Sequence, residues 1–355
     1  MTMTEQERYE TVDLPFYRRH VAPVLPPKVL DFHAHTWRRD HWIEVPWHTD
    51  AAGGRYMVTL EHYDVERLLA DLRTTFPDRP AHAVCFGCPT PAGDWRRTNA
   101  SAAEAGARPG LYPLMVVGRG LMPLDEMRRE LREQGFFGYK VRLSWHGDDY
   151  ARVAVEDLIG PEEMAVADEM RLIVLLHVPR AERLADPEVQ QGVRRLARTY
   201  ANARIVLAHC GRCYLPDEMR AAVDSVADLE NVCMDSSMVM EPQVLQMVLE
   251  RLGPRRLLFA TDLPVAIMRG RRVYVMDHWV DVVLEGHPPS AYRVASGGIR
   301  ATFMVWEIVL AVQRAAEMAR LAEAETARIF WENGMELLEA VMDGEQARRA
   351  RERWA

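Results

Sequence analysis

No part of the chain is apolar over the roughly 18 residues that a membrane-spanning helix needs, and the N-terminal segment has no apolar core of the signal-peptide type. A basic run or stripe is also missing, and the formal net charge of −8 is not typical of nucleic-acid binding. The five cysteines are few and odd in number for 355 residues, which fits a reducing compartment better than a disulfide scaffold. These absences predict a cytoplasmic protein without a membrane or nucleic-acid partner.

The chain instead alternates short apolar runs with segments of helical spacing. The eight apolar runs, each a candidate strand, are KVLDFHAH (28–35), AHAVCFG (81–87), LYPLMVVG (111–118), FFGYKVRL (136–143), RLIVLLHV (171–178), ARIVLAHC (203–210), NVCMDSS (231–237) and RLLFATD (256–262). Between them, segments such as LDEMRRELREQG carry apolar residues on one helical face. This alternation is typical of parallel strands covered by helices. Eight repeats of it predict an α/β fold, a closed (β/α)8 TIM barrel.

An open, doubly wound sheet is the competing fold. It would be expected to carry a glycine-rich turn after the first strand, whereas the sequence there reads HAHTWRRDHW. Residues 36–60 form a long loop after the first strand, and residues 265–299 interrupt the path to extra C-terminal helices at about 300–350. We expect a single domain over residues 1–355, with the barrel core at about 28–265.

Several of the apolar runs end in side chains that can bind a metal ion. His33 and His35 lie two residues apart, so they point to the same side of the first strand. The fifth and sixth runs end in His177 and His209. The eighth ends in Asp262, whose burial would be costly without a cation or hydrogen bonds. Because barrel chemistry lies at the carboxyl ends of the strands, these side chains predict a divalent metal site.

The combination of motifs resembles a known family. The segments DFHAH, LLHV, LAHCG and ATD, followed by IFWENGMEL, are similar to the amidohydrolase superfamily of metal-dependent barrel enzymes. The closest resemblance is to its amidohydrolase-related (amidohydrolase 2) branch, and it covers roughly residues 28–340. The resemblance implies a metal-dependent hydrolase or decarboxylase, and a homodimer.

Carried onto this sequence, the resemblance implies that His33, His35, His177 and Asp262 bind one divalent ion. Imidazoles with one carboxylate suit Zn²⁺, with Mn²⁺ or Fe²⁺ as alternatives. A water bound to that ion would become the nucleophile near neutral pH, and Asp262 could take or relay its proton. His209 is expected to act as a general acid or base, or to stabilise negative charge that develops on the substrate.

Lys140, in the fourth run, has two interpretations under this resemblance. Two-metal members of the superfamily use a carboxylated lysine at this strand end as a bridge. The local sequence GFFGYKVRL is more similar to the mononuclear branch, where such a lysine supports the site or the substrate. We therefore assign Lys140 to substrate binding.

The arginines of the chain point to an anionic small-molecule substrate. Arg119, Arg142, Arg180 and Arg212 each follow or end a strand, which predicts a positive field at the mouth of an otherwise acidic barrel. A guanidinium pairs well with a carboxylate, so we expect a carboxylate-bearing substrate bound by Arg212 and Arg142. Trp37, in the loop after the first strand, either contacts a flat substrate or packs within a lid.

Three functions stay open from the sequence. The first, which we favour slightly, is a hydrolase in which a metal-activated water attacks an amide, lactone or related carbonyl carbon. The second is a non-oxidative decarboxylase of an aromatic or unsaturated carboxylic acid, with Asp262 or His209 delivering a proton to the carbon that loses CO₂. The third is an inactive barrel that only binds a ligand. The presence of all five metal-suited side chains disfavours that third possibility.

Overall fold

The structure is a computed structural model that describes residues 3–43, 62–89, 92–141, 152–275, 278–284, 292–293 and 300–341. Most of the predicted long loop after the first strand and the candidate residue Arg142 lie outside the described residues. Within the described residues, no helix has both the length and the apolar character that crossing a membrane requires.

Each of the eight predicted strands is present, and the third is divided in two. The barrel strands are β1 (Val29–His35), β2 (Ala81–Phe86), β3 (Leu111–Pro113), β4 (Met115–Val117), β5 (Gly138–Val141), β6 (Ile173–Leu176), β7 (Arg204–Leu207), β8 (Val232–Asp235) and β9 (Leu257–Leu258). Neighbouring strands pair in parallel, in the orders β1-β2-β3 and β4-β5-β6-β7-β8-β9. Their apolar side chains are almost entirely buried, as expected for parallel strands covered by helices.

Backbone hydrogen bonds join the two sheets at both seams. At the first seam, Leu114 N–H donates to Cys85 O at 2.9 Å, so the third barrel strand pairs with β2 through β3 and with β5 through β4. At the second seam, Phe32 N–H donates to Phe259 O at 2.9 Å and His35 N–H donates to Leu263 O at 2.7 Å. These bonds connect the first strand to the last, as the predicted (β/α)8 barrel requires.

Two short helices precede the first strand, and the other helices and helical turns follow the strands. They are α1 (Glu5–Arg8), α2 (Leu14–Phe16), α3 (Val65–Thr75), α4 (Trp95–Ala105), α5 (Leu124–Gln134), α6 (Val155–Leu158), α7 (Pro161–Glu169), α8 (Pro187–Thr199), α9 (His209–Arg212), α10 (Pro216–Ala222), α11 (Pro242–Leu252), α12 (Met304–Met318), α13 (Glu323–Phe330) and α14 (Glu332–Val341). In α8 the Asp186 side chain accepts from the first-turn N–H groups and Pro187 occupies the first position. Gly135 ends α5 with a φ of 72°, which glycine adopts without strain. The predicted C-terminal helices correspond to α12, α13 and α14.

The interruption after the eighth strand contains a β-hairpin that the sequence did not predict. Strands β10 (Gly270–Val275) and β11 (His278–Val283) are antiparallel, and β12 (Tyr292–Arg293) pairs in parallel with β11. The base of the hairpin is attached to the chain before α12, because Gly270 N–H donates to Thr302 O at 3.0 Å. The hairpin is therefore an addition to the barrel with a fixed base.

Candidate metal centre

His33 lies at the centre of the candidate site. Its side chain is fully buried, and its Nδ1 lies 2.9 Å from Asp235 Oδ2 at the end of β8. Donation to this carboxylate assigns the proton to Nδ1, so the lone pair of Nε2 faces Lys140 Nζ at 3.1 Å and Asp262 Oδ1 at 3.5 Å. Burial, with a contribution from the Lys140 charge, lowers the pKa of His33 to about 3, so the ring is neutral. Metal-binding histidines commonly donate their second N–H to a carboxylate in this way.

His209 follows β7 in a left-handed turn. All four residues of α9, the segment His209–Arg212, have φ angles between 51° and 67°. Such angles cost about 1–2 kcal/mol for each residue other than glycine, and strain of this kind concentrates at functional sites. The turn brings His209 Nδ1 to 3.0 Å from Ser237 O, and the backbone N–H of His209 donates to Asp235 Oδ1 at 2.8 Å. Because Nδ1 donates to a carbonyl, Nε2 of His209 keeps its lone pair.

Asp262 lies just beyond β9 and next to β1. Its backbone N–H donates to His33 O at 2.8 Å, and its Oδ1 lies 3.1 Å from His35 Nε2. Burial raises the pKa of Asp262, but the hydrogen bond from His35 and the electrostatic effect of the neighbouring histidines outweigh burial and hold that pKa well below its usual range. The carboxylate is therefore ionised, and it can bind a cation or accept a proton.

His35 and His177 lie on either side of this centre and are partly exposed. His35 Nδ1 is buried without a hydrogen-bond partner among the described residues, while Nε2 contacts Asp262. The His177 ring centroid lies 4.6 Å from that of His209 and 6.4 Å from that of His33. Burial, followed by the positive charge of Lys140, lowers the pKa of His177 well below its usual value, so this ring is neutral too.

The donor atoms fit a divalent cation. One ring nitrogen each from His33 and His209 and one oxygen from Asp262 lie within 4.8 Å of one another. Neutral imidazoles and one carboxylate are the donors that zinc and neighbouring divalent metals prefer. This group contains His209, which the resemblance assigns to proton transfer, and His35 and His177 lie beside it rather than within it.

Lys140 lies inside the same cluster. Its side chain is fully buried, and its Nζ lies 3.1 Å from His33 Nε2 and 4.8 Å from the centre of the Phe86 ring. Burial lowers the pKa of Lys140 to about 8. The amine therefore contacts a candidate metal ligand, and its predicted role towards the substrate stays a prediction.

The arginines that the sequence places at the barrel mouth have different surroundings in the structure. Arg212 Nη1 donates to Val178 O at 3.0 Å, which places its guanidinium beside the segment that carries His177. Arg180 is paired with Asp186 at 3.3 Å, and Arg119 is an exposed side chain 3.7 Å from Asp157. Among the described members of the set, Arg212 is the one that lies beside the candidate site.

Trp37 is a packing residue in this structure. Its side chain is 1% exposed, its backbone pairs with Tyr63, and its ring lies 5.7 Å from the Tyr63 ring and 6.4 Å from the His35 ring. Of the two sequence interpretations, packing fits this burial better than contact with a substrate. Trp37 supports the position of His35.

Three residues of the site were missed by the sequence reasoning. Asp235 binds His33, Ser237 binds His209, and the buried Asp31 accepts from the N–H groups of His33 and Thr261 at 3.0 and 2.9 Å. Asp235 could have been found, because it directly follows the apolar residues of the run NVCMDSS, much as Asp262 closes the run RLLFATD.

Comparisons with known proteins identify the family and the fold. The sequence model of a family described as Amidohydrolase matches residues 30–339, which is most of the chain. A search of curated proteins found no significant match.

Solved structures with the same fold include the following three enzymes. An amidohydrolase from Burkholderia multivorans with bound zinc has a TM-score of 0.57 at 19% identity, over 88% of this chain and 99% of that one. A probable 2-pyrone-4,6-dicarboxylic acid hydrolase from Acinetobacter baumannii has a TM-score of 0.56 at 16% identity, over 88% and 99%. A 5-carboxyvanillate decarboxylase from Novosphingobium aromaticivorans with bound manganese has a TM-score of 0.55 at 13% identity, over 89% and 97%. At these identities the likeness shows a shared fold and does not identify the reaction.

Proposed function

Because the chain belongs to the amidohydrolase family, we propose that it is a metal-dependent hydrolase acting on an amide, lactone or related carbonyl of a carboxylate-bearing small molecule. The similar structures include a hydrolase and a decarboxylase, so the preference for hydrolysis rests on the side chains of the site. The observation that carries the proposal is the ionised Asp262 carboxylate, which converges with ring nitrogens of the neutral His33 and His209. An ionised carboxylate is suited to accept a proton from water, as hydrolysis requires.

The proposed ligands are His33, His35, His177 and Asp262, and the proposed ion is Zn²⁺, with Mn²⁺ or Fe²⁺ as alternatives. When bound, the ion would supply a Lewis acid that polarises the substrate carbonyl and lowers the pKa of water. The bonds of His33 to Asp235 and of His209 to Ser237 support the proposal, because they place the ring proton on Nδ1 and leave both Nε2 atoms unprotonated.

The side chains of the site carry out proton transfer and substrate binding. Asp262 accepts a proton as the water oxygen forms a bond to the carbonyl carbon. The neutral His209, with a free lone pair on Nε2, can receive that proton and deliver it to the leaving nitrogen or oxygen as its bond to the carbonyl carbon breaks. Arg212, beside the His177 segment, binds the carboxylate of the substrate.

The test uses purified protein loaded with Zn²⁺ or Mn²⁺ and a panel of carboxylated lactones and amides, beginning with 2-pyrone-4,6-dicarboxylate. We expect hydrolysis of at least one carboxylated substrate. We expect Asp262→Asn to lower kcat by roughly 10²–10⁴-fold, the usual effect of losing a general base. Asp217→Asn is the control, because Asp217 is 92% exposed and paired only at the surface, with Arg220. Full metal content without hydrolysis across the panel would contradict the proposal, and absence of both would favour an inactive barrel.

A second experiment assigns His209. If His209 moves protons, His209→Gln keeps a stoichiometric ion while kcat falls. If it is a ligand, as the convergence of His33, His209 and Asp262 also allows, the variant loses the ion as well as the activity. Elemental analysis of the purified variant separates the two roles.

Decarboxylation is the second candidate, and the aromatic rings near the imidazoles favour it. The Phe86 ring lies 4.6 Å from His35, and the Tyr214 ring lies 6.0 Å from His209. Tyr214 is partly exposed, so its ring can stack on an aromatic acid, while the buried Phe86 ring packs against His35. Release of CO₂ from 5-carboxyvanillate or 2,6-dihydroxybenzoate, with solvent deuterium incorporated at the carbon that loses CO₂, would establish decarboxylation instead of hydrolysis.

A further inference from the structure

The hairpin β10–β11 lies against segments that follow two neighbouring barrel strands. Arg271 Nη2 donates to Met240 O at 3.1 Å, and Met240 follows β8. The Trp279 ring lies 5.3 Å from the ring of Tyr214, which follows β7. Because both segments leave the carboxyl ends of their strands, the hairpin forms one side of the barrel mouth at the candidate site.

A buried ion pair lies in the middle of this hairpin. Arg272 and Asp281 are opposite each other in the two strands, at 2.8 Å from Nε to Oδ1 and 3.0 Å from Nη2 to Oδ2, and their side chains are 6% and 1% exposed. Desolvation makes such pairs weak contributors to stability, since apolar residues of similar volume often serve as well. The pair does have a positional effect, because it holds the Arg272 guanidinium 3.9 Å from the Trp279 ring centre and 4.7 Å from that of Tyr214.

Tyr214 connects the hairpin to the candidate metal centre. Its ring lies between the hairpin and His209, and the Arg183 guanidinium lies 5.5 Å from its centre. Tyr214 is partly exposed, and its hydroxyl makes no hydrogen bond to another residue in the part of the chain that the structure describes. Burial raises the pKa of Tyr214, so the phenol stays protonated and can act as a donor.

The charges around the ring indicate which group that donor would meet. The positive charges of Arg272, Arg212 and Arg183 favour negative charge at the Tyr214 hydroxyl, and the negative charge of Asp262 opposes it. Arg272 and Arg183 are held by Asp281 and Glu218. Arg212 is the guanidinium of the three that lies beside the His177 segment. An anionic oxygen is therefore the acceptor that suits the Tyr214 hydroxyl.

We propose that Tyr214 is a substrate-binding residue whose hydroxyl donates a hydrogen bond to a carboxylate oxygen of the substrate, and that the Arg272–Asp281 pair is the positioning device for its ring. This inference rests on the proposed function, because it concerns the same site. It makes the hairpin, which lies outside the regular barrel repeat, a determinant of specificity for carboxylates.

The test measures binding of phthalate, an aromatic dicarboxylate, to the metal-loaded full chain by calorimetry. We expect Tyr214→Phe to weaken binding roughly tenfold, the effect of losing one hydrogen bond to a charged group. Tyr274→Phe is the matched control, because Tyr274 lies in the same hairpin with 45% of its surface exposed, and we expect its affinity to equal that of the wild type. Metal content should be the same in all three proteins.

The positioning role is tested with Arg272→Lys, which keeps the charge but loses the planar stacking surface. We expect it to weaken phthalate binding in the wild type and to add no further loss in Tyr214→Phe, since both changes remove the same interaction. Asp281→Asn serves as a second positioning variant should Arg272→Lys unfold.

Unchanged affinity of Tyr214→Phe, absence of phthalate binding by the wild type, or fully additive losses would overturn the inference. These results are distinguishable from failure of the proposed function, because phthalate binding is measured without turnover. A chain that binds phthalate through Tyr214 but hydrolyses nothing would keep the inference and lose the hydrolase.

Discussion

At the scale of single residues, the candidate site depends on pairs of a carboxylate and an imidazole. Asp262 contacts His35 and His33 through its side chain, and Asp235 holds His33 from the opposite side. The two carboxylates have different roles, because Asp262 is partly exposed while Asp235 is fully buried. Asp235 therefore sets the proton position on His33 and leaves the opposite nitrogen for a cation.

Replacement of Asp235 tests whether this carboxylate supports metal binding through His33. In Asp235→Asn the anionic acceptor for His33 Nδ1 is lost, so we expect metal affinity to fall by about 10–100-fold, the usual effect of removing such a support. Competition with a chromophoric chelator measures the affinity, and Asp217→Asn should behave as the wild type. An unchanged affinity would mean that Asp235 does not act through His33.

His82 is not one of the candidate site residues, and its lowered pKa should make the stability of the protein depend on pH. Its Nδ1 lies 3.2 Å from the Tyr112 hydroxyl and its ring packs against Trp331, while burial and the Lys28 charge lower its pKa to about 4. The unfolded chain, with an ordinary pKa near 6.5, binds this proton more readily than the folded chain. The free energy of unfolding should therefore fall as pH drops from about 6.5 to about 4, and His82 contributes nothing to the slope above that window.

The comparison is with His82→Gln. Urea unfolding at several pH values should give a shallower loss of stability for this variant between pH 6.5 and 4 than for the wild type. The same slope in both proteins would show that His82 protonates equally well in the folded state.

At the scale of elements, the left-handed turn α9 is the most strained part of the site. Four successive left-handed residues direct His209 towards Ser237 and allow Arg212 to reach the carbonyl of Val178. Gly211 is needed at its position for a second reason, since a Cβ there would lie 2.7 Å from Leu184 Cδ2 and 2.8 Å from Leu184 Cβ. The turn is therefore held by close packing as well as by hydrogen bonds.

Gly211→Ala should lower the free energy of unfolding by about 2–4 kcal/mol, from the left-handed angle and the overpacking together. Gly120→Ala is the matched control, because Gly120 has a φ of 65° but nothing within 4 Å of the added Cβ. The control should lose only the conformational share, about 1–2 kcal/mol. Equal losses in urea unfolding would mean that contact with Leu184 does not constrain the turn.

At the scale of the whole molecule, the site is assembled by closure of the barrel. The candidate ligands come from residues 33, 35, 177 and 262, and the backbone bonds between the first and last strands bring the ends of this range together. Asp31 reinforces the same seam by accepting from the N–H group of Thr261. An ion bound there would link distant parts of the chain and should stabilise the native state by mass action.

Removal of the metal tests this link. Treatment with a chelator should lower the Tm of the metal-loaded wild type by several degrees, since a ligand at a thousand times its Kd contributes about 4 kcal/mol. The same treatment should have little effect on Asp262→Asn. Light scattering of the same samples would test the homodimer, which stays a prediction from the family resemblance.

The sequence by itself determined the strand order, the ring of eight and the strand ends that carry His33, His35, His177, His209 and Asp262. These features depend on local periodicity, which is written into each segment separately. Only the tertiary structure decided the bond from His33 to Asp235, the burial of Trp37 and the hairpin pair of Arg272 with Asp281. Each of these depends on which side chains meet across more than one element, and a period of two or 3.6 residues indicates a face but not the partner on it.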